Sequence, residues 1–256
     1  TPPGHYKDYV YDNFQPARTL WYHDHGAHVT AKSVYSGLAA LYLLHDPAER
    51  ELLPQGEFDV PLVLSDAMFA ASGATAFDDH NQSGLWGDVI LVNGRPWPTM
   101  RVQRRIYRFR LLNASISRSY RPTLSTGEPV TMVATDGGLM PTARQVSAWR
   151  HAPAERYEIL IDFSKYAPGT QVVLRNRSNK NNIDYRNTDK IIAFDVVDDP
   201  VDTGGPGARV LPTTLAASTT MSLTAAQSVR RRRLRLKRDD TTRLWTINDS
   251  RSATGP

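Results

Sequence analysis

Arg105-Ile106-Tyr107-Arg108-Phe109-Arg110-Leu111 alternates apolar and charged residues. Successive side chains of an extended strand leave opposite faces, so Tyr107, Phe109 and Leu111 share one face and Arg108 and Arg110 the other. The pattern recurs in Glu158-Ile159-Leu160-Ile161-Asp162-Phe163, where Tyr157, Ile159, Ile161 and Phe163 point inward. Shorter runs of strand type lie at residues 60–64, 88–92, 171–174 and 191–196. Asn93-Gly94, directly after one of them, is the strongest short signal for a hairpin. Asp136-Gly137-Gly138 and Ala167-Pro168-Gly169 mark further turns, their glycines serving backbone geometry. Many short strands punctuated by turns predict an all-β sandwich or barrel.

Composition bounds the rest. The 256 residues have room for one large or two ordinary domains. Hydrophobic residues make up 40% and charged residues 22%, which suits a globular chain. No apolar run is long enough for a transmembrane helix, so no membrane partner is expected. Thr1-Pro2-Pro3-Gly4 does not read as a signal peptide. The absence of cysteine excludes a disulfide framework and leaves the compartment open. Asn-x-Ser sequons at Asn81, Asn113, Asn176 and Asn248 permit secretion, although Asn113 closes a core strand where a glycan fits poorly.

The formal net charge of +5 owes much to residues 230–238, a run of arginines ending in Leu234-Arg235-Leu236-Lys237-Arg238. Clustered arginine is the footprint of polyanion binding. The leucine alternation instead fits an edge strand with Leu234 and Leu236 inward and the charges outward, a device against edge pairing. Asp239 and Asp240 dilute the patch, and no nucleic-acid partner is expected.

Chemistry concentrates in Thr19-Leu20-Trp21-Tyr22-His23-Asp24-His25-Gly26. On an extended strand His23 and His25 project from one face and can reach one metal ion or two adjacent ones. Imidazole suits copper, zinc, iron and nickel alike. An isolated H-x-H is most often two surface histidines in a polar turn. Here Leu20-Trp21-Tyr22 before it reads as a buried strand, and residues 34–44 read as another of core type. Asp24 points away from the imidazoles and is expected to orient a neighbour by hydrogen bond. His28 reads as a polar residue at the strand end, and His5, His45, His80 and His151 stand alone. Met68, Met100, Met132, Met140 and Met221 lack the Cys/His context of an axial copper ligand. Trp21, Trp86 and Trp97 read as core or interface aromatics.

Taken in order, Ala17-Arg18-Thr19-Leu20-Trp21-Tyr22-His23-Asp24-His25, Tyr35-Ser36-Gly37-Leu38-Ala39, His45-Asp46-Pro47-Ala48-Glu49, Gly56-Glu57-Phe58-Asp59-Val60-Pro61, Trp86-Gly87-Asp88-Val89-Ile90, Val92-Asn93-Gly94-Arg95-Pro96-Trp97-Pro98 and Ala154-Glu155-Arg156-Tyr157 resemble the multicopper oxidases. Within them, the look is nearest to bilirubin oxidases and spore-coat-type laccases, and it covers nearly the whole chain. The resemblance implies cupredoxin-like Greek-key β-sandwich domains. It also implies that His23 and His25 are ligands of the type 3 copper pair, one for each copper.

The same resemblance implies three domains and four H-x-H motifs, of which only one is present here. No H-x-H precedes Tyr22, and without cysteine there is no thiolate for a blue-copper centre. The chain therefore reads as an interior piece. Residues 1–48 would close a first cupredoxin domain, and residues 57–199 would form a copper-free second one. Residues 200–228, rich in Gly, Pro, Thr, Ser and Ala, read as a linker, and residues 229–256 would open a third domain. The implied reaction is one-electron oxidation of phenols, aromatic amines or tetrapyrroles, with dioxygen reduced to water. Its partners would be dioxygen, a small aromatic reductant and the remaining parts of domains 1 and 3, in an extracellular setting. The chain alone is expected to be inactive. Two further readings remain open: a non-catalytic cupredoxin structural module, and a simple copper-binding protein.

Overall fold

A computed structural model describes residues 2–78, 84–198, 204–215, 224–242 and 244–250. His80, Asn81 and Met221, singled out above, lie outside these residues, as do parts of the 200–228 and 229–256 stretches.

Strands β1 (Arg18–His23) and β2 (Ala39–Leu44) pair antiparallel as a two-stranded ribbon, with helix α1 (Thr30–Tyr35) between them. Helix α2 (Pro47–Leu52) follows. Its first turn is closed by the Asp46 side chain, which accepts the Glu49 N–H, and Pro47 occupies the position where a missing N–H costs nothing. The main sandwich then runs through β3 (Asp59–Ala67), β4 (Val89–Val92), β5 (Arg95–Pro96), β6 (Thr99–Val102), β7 (Ile106–Asn113), β8 (Pro122–Leu124), β9 (Val130–Thr135), β10 (Gly138–Val146), β11 (Arg156–Asp162), β12 (Gln171–Asn176) and β13 (Lys190–Val196). One sheet has the order β10-β9-β11-β7-β3-β4-β5 and the other β6-β13-β12-β8. A last hairpin pairs β14 (Leu236–Arg238) with β15 (Trp245–Ile247). The all-β expectation holds.

The inward faces follow the alternation. Tyr107, Phe109 and Leu111 on β7 and Ile159 and Ile161 on β11 meet Phe163, Val172, Leu174, Ile192 and Phe194 between the sheets. Phe109 lies edge-on to Phe163 at 6.3 Å and close to Phe194 at 4.9 Å. Asn93-Gly94 closes the β4–β5 hairpin with φ of 49° and 75°, the pair of left-handed residues that a type I′ turn demands. Asn113 is buried, and its Nδ2 donates to the carbonyls of Arg118 and His151, leaving no room for a glycan.

The other face of β7, which carries the two arginines, is covered as well. All eight β7 residues are buried, including Arg108 and Arg110. Part of the cover is apolar: Leu53 and Leu215 pack with Ile106, Val133, Leu139 and Leu160. Residues 204–215, read as linker, lie along β10, where the Ala143 N–H donates to the Thr213 carbonyl and the Leu215 N–H to that of Pro141. Gly207 permits this course. Its φ is 65°, and a Cβ there would meet Pro54 Cδ at 2.7 Å.

Residues 34–44 do not form one strand. Tyr35 ends α1, and Gly37 takes φ 97°. The Leu38 N–H reaches back to the Ser33 carbonyl and the Gly37 N–H to that of Val34, a Schellman close that only then releases the chain into β2. The ribbon is also less buried than Leu20-Trp21-Tyr22 implied, since Tyr22 is 62% exposed. Leu234 and Leu236, expected inward, are each 70% exposed. Among the described residues no second layer packs on the β14–β15 hairpin, and Leu234 precedes its three-residue strand.

Candidate metal centre

Thr19, Trp21 and His23 occupy one face of β1, because alternate residues of a strand do. His23 is the last residue of that strand and pairs with Ala39. One more backbone bond, from the Asp24 N–H to the Leu38 carbonyl, holds the chain before it leaves the ladder. Asp24 then turns it: its carboxylate accepts the Gly26 N–H at 3.1 Å. Gly26 has no side chain to spare, since a Cβ would meet Val29 Cγ2 at 2.8 Å and Asp24 Oδ2 at 2.9 Å.

This turn brings the two imidazoles together. The His23 and His25 rings stack with centroids 4.3 Å apart and planes 30° from parallel. Trp21 stacks on the other side of His23 at 4.7 Å and 27°. His25 lies just past the regular strand, so the pairing depends on the Asp24 turn as well as on the two-residue period. His23 Nδ1 sits 2.9 Å from the Asp24 carbonyl oxygen. A carbonyl only accepts, so Nδ1 carries the hydrogen, and Nε2 is the nitrogen of the neutral ring that offers a metal its lone pair. Asp24 does not orient an imidazole through its carboxylate. The Ser33 hydroxyl and the Gly26 N–H hold that carboxyl below its ordinary value, with smaller help from His25 and His23. His28 is exposed in the next turn at φ 63°. An open depression beside the pair is lined by Tyr22, His23, Asp24, Gly37, Leu38, Ala39 and Ala40.

A second cluster, His45, Glu49 and Asp59, brings three ligand-type atoms within 4.8 Å of one another. Two guanidinium groups already fill that space. Arg110 grips Asp59 with two bonds of 2.7 Å and gives Glu49 a third of 2.7 Å. Arg108 bonds Glu49 and, through Nε at 3.0 Å, Glu158. Arg110 also reaches Glu158 Oε1 at 3.2 Å, and His45 Nδ1 meets Glu49 Oε2 at 3.1 Å. A cation would have to displace both arginines, so this is an ion network and not a metal site. Burial works against ionising Glu158, yet Arg108 and Arg110 outweigh it and hold that carboxyl below its usual range. Sequence reasoning missed this network. The available signal was charge on alternate residues of a strand whose register sets Glu158 opposite Arg110 and Asp59 opposite Arg108.

Copper suits the stacked pair: neutral imidazoles are good ligands for it, and one of them has its free nitrogen defined by a hydrogen bond. A blue-copper centre does not fit, since no thiolate exists in the sequence.

No protein-family profile matches the chain. It is 44% identical to the bilirubin oxidase of Albifimbria verrucaria over 229 residues, 84% of this chain and 39% of that protein. A laccase of Bacillus subtilis (strain 168) is 39% identical over 181 residues, 66% of this chain and 35% of the laccase. Among solved structures, a variant of the McoA multicopper oxidase of Aquifex aeolicus superposes with a TM-score of 0.79 at 30% identity. That alignment covers 91% of this chain and 51% of the oxidase. The chain thus spans about half, or less, of the length of these relatives. By the identity and extent of these matches, the chain belongs to the multicopper oxidase family.

Proposed function

We propose that His23 and His25 serve as type 3 copper ligands, one for each copper, in a multicopper oxidase that draws its remaining ligands from residues outside this sequence. The observation that carries the reading is the stacked imidazole pair at 4.3 Å with the His23 Nδ1 hydrogen committed to the Asp24 carbonyl. Bound copper would supply one-electron chemistry and reduction of dioxygen to water. The protein's own part is to present two imidazoles side by side, fix the His23 tautomer, and hold the turn through Asp24. Residues 57–199 carry no metal in this reading and act as a spacer and support for the copper-bearing domains on either side. The organic substrate, a phenol, aromatic amine or tetrapyrrole giving up single electrons, would bind elsewhere, beside a thiolate-ligated copper. We place the activity outside the cell, a setting that the Asn-x-Ser sequons permit, and no helix among the described residues is long and apolar enough to cross a membrane.

The missing thiolate favours one other reading, a copper binder without oxidase activity. Copper loading of the 256-residue chain, with spectra and assays of phenolic and tetrapyrrole oxidation, tests the proposal. Bound copper without blue colour or turnover is expected, and His23→Ala with His25→Ala should abolish the binding. A blue preparation that turns over would overturn it. Extending the protein with the flanking gene sequence separates the two readings, because only the oxidase reading predicts that activity then appears.

A further inference from the structure

The β1–β2 ribbon has two strands, and such a hairpin is marginal by itself in water. Its outward residues gain little from packing, with Tyr22 62% exposed and Leu38, just before β2, 58% exposed. The geometry of His23 and His25 must therefore be borrowed from the sandwich. At one point on β1 a side chain is wholly enclosed: Thr19 is 1% exposed. Its hydroxyl donates to Glu158 Oε1 at 2.7 Å and lies 3.3 Å from Arg110 Nη1. Its carbonyl accepts from Arg156 Nε at 3.1 Å. Two residues earlier the Ala17 carbonyl lies so close to Gly138 that a Cβ there would stand 2.7 Å from it.

Thr19, Trp21 and His23 share one face of the strand, so rotation or slippage that broke the Thr19 bond would swing Trp21 and His23 with it. Glu158 is an immobile anchor, clamped by Arg108 and Arg110 from the neighbouring strand.

We propose that Thr19 and Glu158 form a positioning clamp by which the copper-free sandwich holds β1 in the orientation that keeps His23 stacked between Trp21 and His25. As a statement about metal binding, this rests on the copper reading above. As a statement about the ring pair, it stands by itself. Thr19 and Glu158 touch no reacting atom and act only through the strand.

The test uses the full 256-residue chain and three proteins: wild type, Thr19→Val and Thr19→Ser. Val keeps the shape and removes the donor. Glu158 retains both arginines, so the sandwich should still fold, which thermal unfolding checks. Imidazole proton shifts of His23 and His25 report the stack through the ring currents of Trp21 and each neighbour. Copper(II) affinity is measured by chelator competition, with nitrogen hyperfine coupling to identify imidazole ligands and His23→Ala as the control. The stack should loosen in Thr19→Val and return in Thr19→Ser. Copper affinity should fall about tenfold in the first and recover in the second, the scale found when groups that orient a metal ligand are removed. Unchanged imidazole shifts in Thr19→Val overturn the clamp whatever copper does, whereas a lost stack with unchanged His23-dependent affinity upholds the clamp on the rings and overturns its part in metal binding. If wild type shows no His23-dependent copper binding while Thr19→Val loses the stack, the clamp stands and the copper reading falls.

Discussion

Thr19 Oγ1 donates a 2.7 Å hydrogen bond to Glu158 Oε1, joining residues 139 positions apart and tying the histidine-bearing ribbon to the middle of the larger sheet. Glu158 belongs to a buried set with Arg108, Arg110, Glu49 and Asp59, so removing its charge leaves guanidinium groups without full compensation. Glu158→Gln should destabilise the chain by about 3 kcal/mol, the usual cost of deleting one partner from a buried ion pair. Urea unfolding measures it. A change no larger than a surface substitution would mean that the network is not what seals this face.

The same network sets an acid limit. Glu49 and Glu158 both have pKa values below the ordinary glutamate value, because the attraction of Arg108 and Arg110 outweighs burial. A carboxyl whose folded pKa is depressed contributes stability above its unfolded pKa and loses it as pH falls toward the folded one. Unfolding free energy should therefore drop as pH goes below the ordinary carboxylate range. Glu158→Gln should flatten that drop, which denaturation at several acidic pH values will show.

His151 adds a separate slope at higher pH. It is fully enclosed, and burial pulls its pKa down from 6.5 to about 4, against the opposing bond to the Glu155 carbonyl and the charge of Asp136. The unfolded chain takes up a proton near pH 6.5 while the folded one does not, so stability is complete above that pH and falls on acidification. The expected loss is about 1.4 kcal/mol per pH unit over that window. NMR titration should find the His151 ring neutral at pH 5.5. A midpoint near 6.5 would contradict its burial.

Gly138 should not tolerate a side chain. Its φ is 96°, and an added Cβ would press on the Ala17 carbonyl at 2.7 Å and on Arg18 Cβ at 3.4 Å. Gly138→Ala should cost roughly 1–3 kcal/mol from left-handed strain alone, with the clash added. Gly137→Ala, where a Cβ meets nothing within 4 Å, is the control in the same melting experiment.

Much of this architecture was legible because it is written locally. The strands around residues 107–111 and 159–163 follow from alternation, and the Asn93-Gly94 turn from the backbone freedom of two adjacent residues. The His23–His25 pair was legible for the same reason, although its rings meet through an aspartate turn beyond the strand end. What stayed hidden depends on distant partners. Nothing near Arg108 and Arg110 announces that Glu49, Thr19 and the strap at 204–215 will cover their face, since the bonds to Glu49 and Thr19 cross 59 to 91 positions. The helix at Thr30–Tyr35 is a single short stretch whose stop signal, Gly37, was there to be read against the apolar run around it.

Whether His23 and His25 are the metal-binding residues of these 256 can be read from anomalous diffraction at the copper edge, using copper-loaded crystals. An anomalous peak is expected against the His23 and His25 imidazoles, with none between the two sheets and none at His45, Glu49 and Asp59. A peak inside the sandwich or in the arginine-filled cluster, with the histidine pair bare, would contradict it.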